Sequence, residues 1–123
     1  MCHTVYVVHY VMHAMPADAD IFETLRQELR RGTLILAVLA QLKVERYGYG
    51  LRQALAGVGL EIDEGALYPM LRRLETQGLL TSEWREEDRR KKRFYRLSPE
   101  GEAVLARLSA EWRAMNDTLG NLI

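Results

Sequence analysis

The 123-residue chain has a single cysteine, Cys2. No disulfide can form within it, and a reducing compartment, the cytoplasm, is the simplest expectation. Long hydrophobic runs are also missing. The longest, at 34–40, is far too short to span a bilayer, so no membrane role is expected. The apolar opening VYVVHYVM has no basic leader and contains His9, which argues against a signal peptide. An excess charge of one sign is absent as well, because 17 basic and 17 acidic residues cancel. Nucleic-acid binders usually look basic, so any such role must rest on how the charges are distributed. No internal repeat, P-loop or dinucleotide-binding glycine fingerprint is found, and no nucleophile, base and orienting residue fall into one set. The chain is therefore not expected to be an enzyme or to carry a cofactor.

What remains is ordinary globular composition for one domain, with 48% apolar and 28% charged residues. Asp20 precedes Glu23 by a capping-box interval, and Ile21, Phe22, Leu25 and Leu29 follow at helical spacing. A helix over about residues 20–31 is expected, ended or bent by Gly32. TLILAVLAQL is apolar nearly all round and predicts a buried central helix. Tyr47-Gly48-Tyr49-Gly50 reads as a turn opening a short helix that Gly57 and Gly59 close. Asp63 then caps an amphipathic helix with Leu67, Met70, Leu71 and Leu74 on one face and Gly78 at its end. TSEWR and RFYRL read as short strands, with the charged run between them as a hairpin loop. Ser98-Pro99 starts a last helix.

This order predicts a mostly α fold with a small β-hairpin, a winged helix-turn-helix flanked by N-terminal and C-terminal dimerisation helices. Residues 1–17 form an N-terminal extension, 18–98 the DNA-binding domain with its bracing helix, and 99–123 the dimerisation helix. In such folds the third helix enters the DNA major groove. That role accounts for two poor helix formers, Gly65 and Pro69, near the start of the best helix signal. Gly65 and Ala66 make a slim first turn whose amides can meet phosphate. Pro69 offers a smooth apolar surface, Tyr68 a hydroxyl, and Arg72 lies one turn beyond Tyr68 with Arg73 beside it. In the run REEDRRKKR, Arg90, Lys91, Lys92 and Arg93 are candidate phosphate ligands; a solvated hairpin tip is the plainer alternative. Tyr47 and Tyr49 divide between capping a helix and touching phosphate, and Tyr95 between wing core and DNA.

Several motifs in order resemble one family. Gly65-Ala66-Leu67-Tyr68-Pro69, then Leu71, Arg73-Leu74-Glu75 and Gly78-Leu79-Leu80, are similar to the recognition-helix signature of PadR-like transcriptional regulators. Tyr49-Gly50 resembles the turn before their second helix, while Ser82-Glu83-Trp84, Tyr95-Arg96-Leu97 and Pro99-Glu100-Gly101 resemble their wing and last helix. The likeness runs from about residue 31 to 115. It implies a dimeric repressor of its own or neighbouring genes, often released by a small-molecule effector. Ala66 departs from the usual threonine, and Glu86-Glu87-Asp88 occupies the wing tip where glycine or proline is frequent.

A dimer is expected independently. Leu105, Leu108, Trp112, Met115, Leu119 and Leu122 alternate steps of three and four, a heptad stripe suited to an arm braced by Ile21 and Leu25. A two-fold homodimer would read a palindromic operator. Trp112 reads as interface core or, through the family resemblance, as a candidate effector contact. Cys2, His3, His9 and His13 have ligand chemistry suited to zinc or copper, but their spacing matches no compact site, so no metal is expected. The competing reading is a winged-helix protein-interaction module without specific DNA binding.

Overall fold

The computed structural model describes residues 14–123. The apolar stretch VYVVHYV and the Cys2, His3, His9 and His13 group lie outside them. The first helix, α1, runs Ala14–Gln41. Two expectations about it are corrected. Asp20 lies inside the helix rather than capping it: its carbonyl accepts from Thr24 Oγ1 at 3.0 Å. The Glu23 carboxylate accepts from Arg26 and Gln27 at 3.2 and 3.1 Å rather than reaching back to a cap. Nor does Gly32 end the helix, because one interior glycine costs only about 1 kcal/mol and good helix formers flank it on both sides. The chain divides into one compact unit ending at Thr33 and another spanning Leu34–Ile123. In the first, Ile21, Phe22, Leu25 and Leu29 are exposed.

The second unit holds the core. From TLILAVLAQL and its end, Val38, Leu39 and Leu42 are fully buried, as the all-round apolar pattern requires. They pack with Leu51 and Leu55 of α2 (Gly48–Gly57) and with Leu67, Leu71 and Leu74 of α3 (Glu64–Thr76). Both helices end in the same way. Gly59 and Gly78 adopt φ of +86° and +83°. The next amides, of Leu60 and Leu79, donate back to Leu55 and Leu74 carbonyls at 2.8 and 3.0 Å. This Schellman closure aims a leucine at the core. Gly78→Ala is expected to cost about 1 kcal/mol, because a Cβ is strained at that φ; urea denaturation would show it as a lower midpoint with unchanged slope.

The sheet has the order β1-β3-β2 and is antiparallel. β1 is only Arg46–Tyr47, paired with Tyr95 and Phe94, and two residues carry no periodic signal in sequence. β2 (Leu80–Glu87) and β3 (Arg90–Leu97) form the wing. Most of the expected charged loop is therefore strand. Only Asp88 and Arg89 make the turn, with φ of 52° and 65°, the two positive values a tight hairpin needs. Opposite charges face one another in Glu86↔Lys91 and Glu87↔Arg90, which favours strand pairing where a loop was expected.

The last helix, α4, spans Pro99–Leu122. Ser98 Oγ accepts from the Gly101 amide at 2.9 Å and donates to the Gly78 carbonyl at 2.6 Å. The Ser98 amide donates to the Leu79 carbonyl at 3.0 Å. One serine thus joins the end of α3 to the start of α4.

Candidate nucleic-acid interface

The wing register decides which side chains look toward α3. Ser82 stands opposite Tyr95, Trp84 opposite Arg93 and Glu86 opposite Lys91. Directly opposed residues share a face of the sheet. Ser82 Oγ donates to Glu75 of α3 at 2.6 Å, so this face is the inner one. Arg93 Nε donates to Ser82 Oγ at 2.9 Å, and its Nη2 donates to Glu75 Oε1 at 3.2 Å. The triad ties the wing to the end of α3. Residues of the outer face stack along the sheet. Tyr47 and Phe94 have ring centroids 5.7 Å apart, Arg85 lies 4.5 Å over Phe94, and Lys92 lies 4.6 Å over Tyr47. Lys92 also pairs with Glu87 at 3.7 Å, and Arg85 bridges Glu45 and Glu83.

Between α3 and the wing lies a cleft of about 350 Å³. It gathers Tyr68 and Arg72 from α3, Trp84, Lys91, Lys92 and Arg93 from the wing, Tyr47 from β1 and Tyr49 from the start of α2. Tyr68 is pinned there: a Cβ on Gly48 would come within 2.7 Å of its Cε1, so the ring rests on bare backbone. Arg72 and Lys91 have no ion-pair partner among the described residues. Arg90 lines a neighbouring groove with Glu64 and Asp88. Gly65, Ala66, Pro69 and Arg73 are exposed on α3 but do not line the main cleft.

The start of α3 differs from the expected open anion site. Asp63 Oδ1 already accepts from the Ala66 amide at 2.9 Å, and Glu64 stands in the first turn, paired with Arg52 at 3.0 Å. The positive end of the helix is matched from within, which leaves it little pull on an outside anion. Pro69 has no N–H to offer the Gly65 carbonyl four residues back. Gly65 and Ala66 keep this turn slim and exposed.

Tyr95 belongs to the core, and burial pushes its phenol above the ordinary range while Arg93 opposes the shift. It is neutral at physiological pH. Leu105 is also buried, in the core of its own chain, so the outward stripe of α4 begins at Leu108. Trp112 is 47% exposed and follows it with Met115 and Leu119. Ile21 and Leu25 are likewise exposed on α1. Trp84, 60% exposed, is the cleft residue that sequence reasoning treated only as a strand former. Its signal was an aromatic at an alternating strand position beside a basic run. Among the described residues no group of three His, Cys, Asp or Glu side chains is placed to hold a metal, and no helix is long and apolar enough to cross a membrane.

Comparison with known proteins bears on this geometry. Residues 35–107 match the model of the transcriptional regulator PadR-like family. A structure of a PadR family transcriptional regulator from Eggerthella lenta is 44% identical, with TM-score 0.80, covering 86% of this chain and 95% of that one. A PadR-like transcriptional regulator from Bacillus cereus is 26% identical with TM-score 0.70, covering 77% and 95%. The transcriptional regulator Rv3488 of Mycobacterium tuberculosis is 48% identical over 61 residues, 50% of this chain. That match spans only 57% of the length of Rv3488.

Proposed function

The chain belongs to the transcriptional regulator PadR-like family, and from that premise we propose that it is a homodimeric repressor that reads a palindromic DNA operator in the cytoplasm. The observation that carries the reading is the juxtaposition of α3 with the wing. Arg72 of α3 and Lys91 of the wing, which form no salt bridge among the described residues, line one cleft free of carboxylates, and the slim start of the same helix is exposed. With α3 in the major groove, Gly65, Ala66, Tyr68, Pro69, Arg72 and Arg73 face DNA, while Tyr49 and the wing residues Arg90, Lys91, Lys92 and Arg93 lie near the flanking backbone. Lys92 and Arg93 are partly matched by Glu87 and Glu75, whereas Arg72, Arg73, Arg90 and Lys91 form no salt bridge among the described residues.

Dimerisation is supported by two apolar stripes that a single chain leaves exposed: Ile21, Phe22, Leu25 and Leu29 on α1, and Leu108, Trp112, Met115 and Leu119 on α4. A second copy of the chain covers both, and two recognition helices then meet half-sites about 34 Å apart. Release by a small-molecule effector at Trp112 completes the proposal. The chain carries out no catalysis in this role.

Fluorescence anisotropy on the protein's own promoter fragment and a shuffled control, across a salt series, tests the reading. Arg72→Ala is expected to weaken promoter binding by about 1–3 kcal/mol. Lys91→Gln is expected to lower the salt-dependence slope by about one unit, the mark of one lost phosphate contact. Salt-insensitive binding, or an Arg72→Ala variant as tight as wild type, would favour a protein-interaction module instead.

A further inference from the structure

We propose that the cleft between α3 and the wing seats one sugar–phosphate unit of the DNA backbone, with the Trp84 indole packed against the sugar. This rests on the DNA-binding reading and deepens it. Trp84 lies on the inner face of the wing, yet is 60% exposed, because the neighbouring pair on that face, Ser82 and Tyr95, is taken up by α3 and the core. Its direction is set from below. The Arg93 guanidinium lies 5.4 Å from the Trp84 ring centroid and is itself held by Glu75 and Ser82. Arg93 is thus a pillar under the indole, with much of its charge already answered.

Arg72 from α3 and Lys91 from the wing line the same cleft and form no salt bridge among the described residues, although Glu86 stands opposite Lys91 across the hairpin. An exposed apolar ring lining a cleft with two cations that form no salt bridge, and with no carboxylate in the lining, matches a unit that has an anionic group on either side of a C–H-rich ring. A deoxyribose between two phosphates has that chemistry. A helix docked in the major groove also brings the adjoining backbone strand between itself and the wing. A free nucleotide shares the sugar and the phosphate, so the experiment separates the two sources.

The sugar contact carries no charge, and this gives it a signature distinct from a phosphate contact. Trp84→Ala is expected to weaken promoter binding roughly tenfold at every salt concentration with the slope unchanged, whereas Lys91→Gln changes the slope. Trp84→Phe keeps most of the affinity. Adding duplex changes the tryptophan emission of wild type, while Trp84→Phe, which retains Trp112, shows no such change. Thymidine monophosphate at matched nucleotide concentration leaves emission unaltered. Circular dichroism melting confirms that each variant is folded. Unchanged affinity of Trp84→Ala, or an emission change that persists in Trp84→Phe, overturns the proposal. Saturable binding of thymidine monophosphate lost in Trp84→Ala replaces it with a free-nucleotide site. Wild type that binds no duplex removes the DNA reading and this one together, whereas wild-type binding with an indifferent Trp84 removes this one alone.

Discussion

Gly101→Ala is expected to unfold the protein under conditions in which the wild type is stable. The methyl group would overlap the Leu79 carbonyl oxygen and lie 3.1 Å from Leu97 Cδ2. Neither neighbour can easily give way. The Leu79 carbonyl accepts from the Ser98 amide, and Ser98 Oγ holds both the Gly101 amide and the Gly78 carbonyl. Moving α4 away from the end of α3 breaks these bonds together and opens the core around Leu97 and Leu105. Overpacking costs about 1–3 kcal/mol and more where backbone is hit. A loss near 3 kcal/mol lowers Tm by roughly 10 °C or more. Gly57→Ala is the control. It sits at the end of α2 with open space around its Cβ position and should gain about 0.5–1 kcal/mol from helix propensity. Thermal melts of both variants, read side by side, separate a steric requirement from general intolerance of substitution.

Met115→Glu is expected to have the largest effect on function, through assembly. Met115 is 57% exposed in a single chain, so a glutamate there does no harm to the isolated fold and far-UV circular dichroism stays unchanged. In the proposed dimer the same carboxylate meets the apolar stripe of the partner and loses its water, a cost of several kcal/mol. Sedimentation velocity should then show monomers at concentrations where wild type is dimeric. Operator affinity should fall about 100-fold or more, because the second half-site is no longer held at high effective concentration. A Met115→Glu protein that remains dimeric places the interface elsewhere.

The central elements of the fold were legible because their signals were periodic or covalent in origin. Leu67, Met70, Leu71 and Leu74 name the buried face of α3, Asp63 and Gly78 its two ends, and Ser98-Pro99 the start of α4. All follow from local rules. The failures share a cause. The cap proposed at Asp20 and the stop at Gly32 were local signals overruled by a longer helix. β1 exists only through its partner β3, and the strand character of Glu86 to Lys91 comes from pairing across the hairpin. The exposure of Trp84 and the burial of Leu105, which was expected in the dimer stripe, have a similar reason. Composition cannot tell which side of a sheet or helix the core will claim, so an aromatic in the wing is left exposed while a residue of the heptad stripe is buried. Tyr95 likewise belongs to the core, a choice its sequence neighbours left open.

The charge ladder of the wing has one more consequence, for how the protein searches a genome. Glu86 faces Lys91 and Glu87 faces Arg90. Beyond a Debye length of about 8 Å these pairs present almost no net charge to passing DNA. The chain as a whole is neutral too. In the proposed DNA-binding role, sequence-blind adhesion depends on the positive charge presented at the contact face, and the two wing pairs reduce that charge. In that role the wing cations count one by one only at contact distance, with α3 in the groove as proposed. A regulator of this kind would then discriminate by fit at the groove more than by bulk charge.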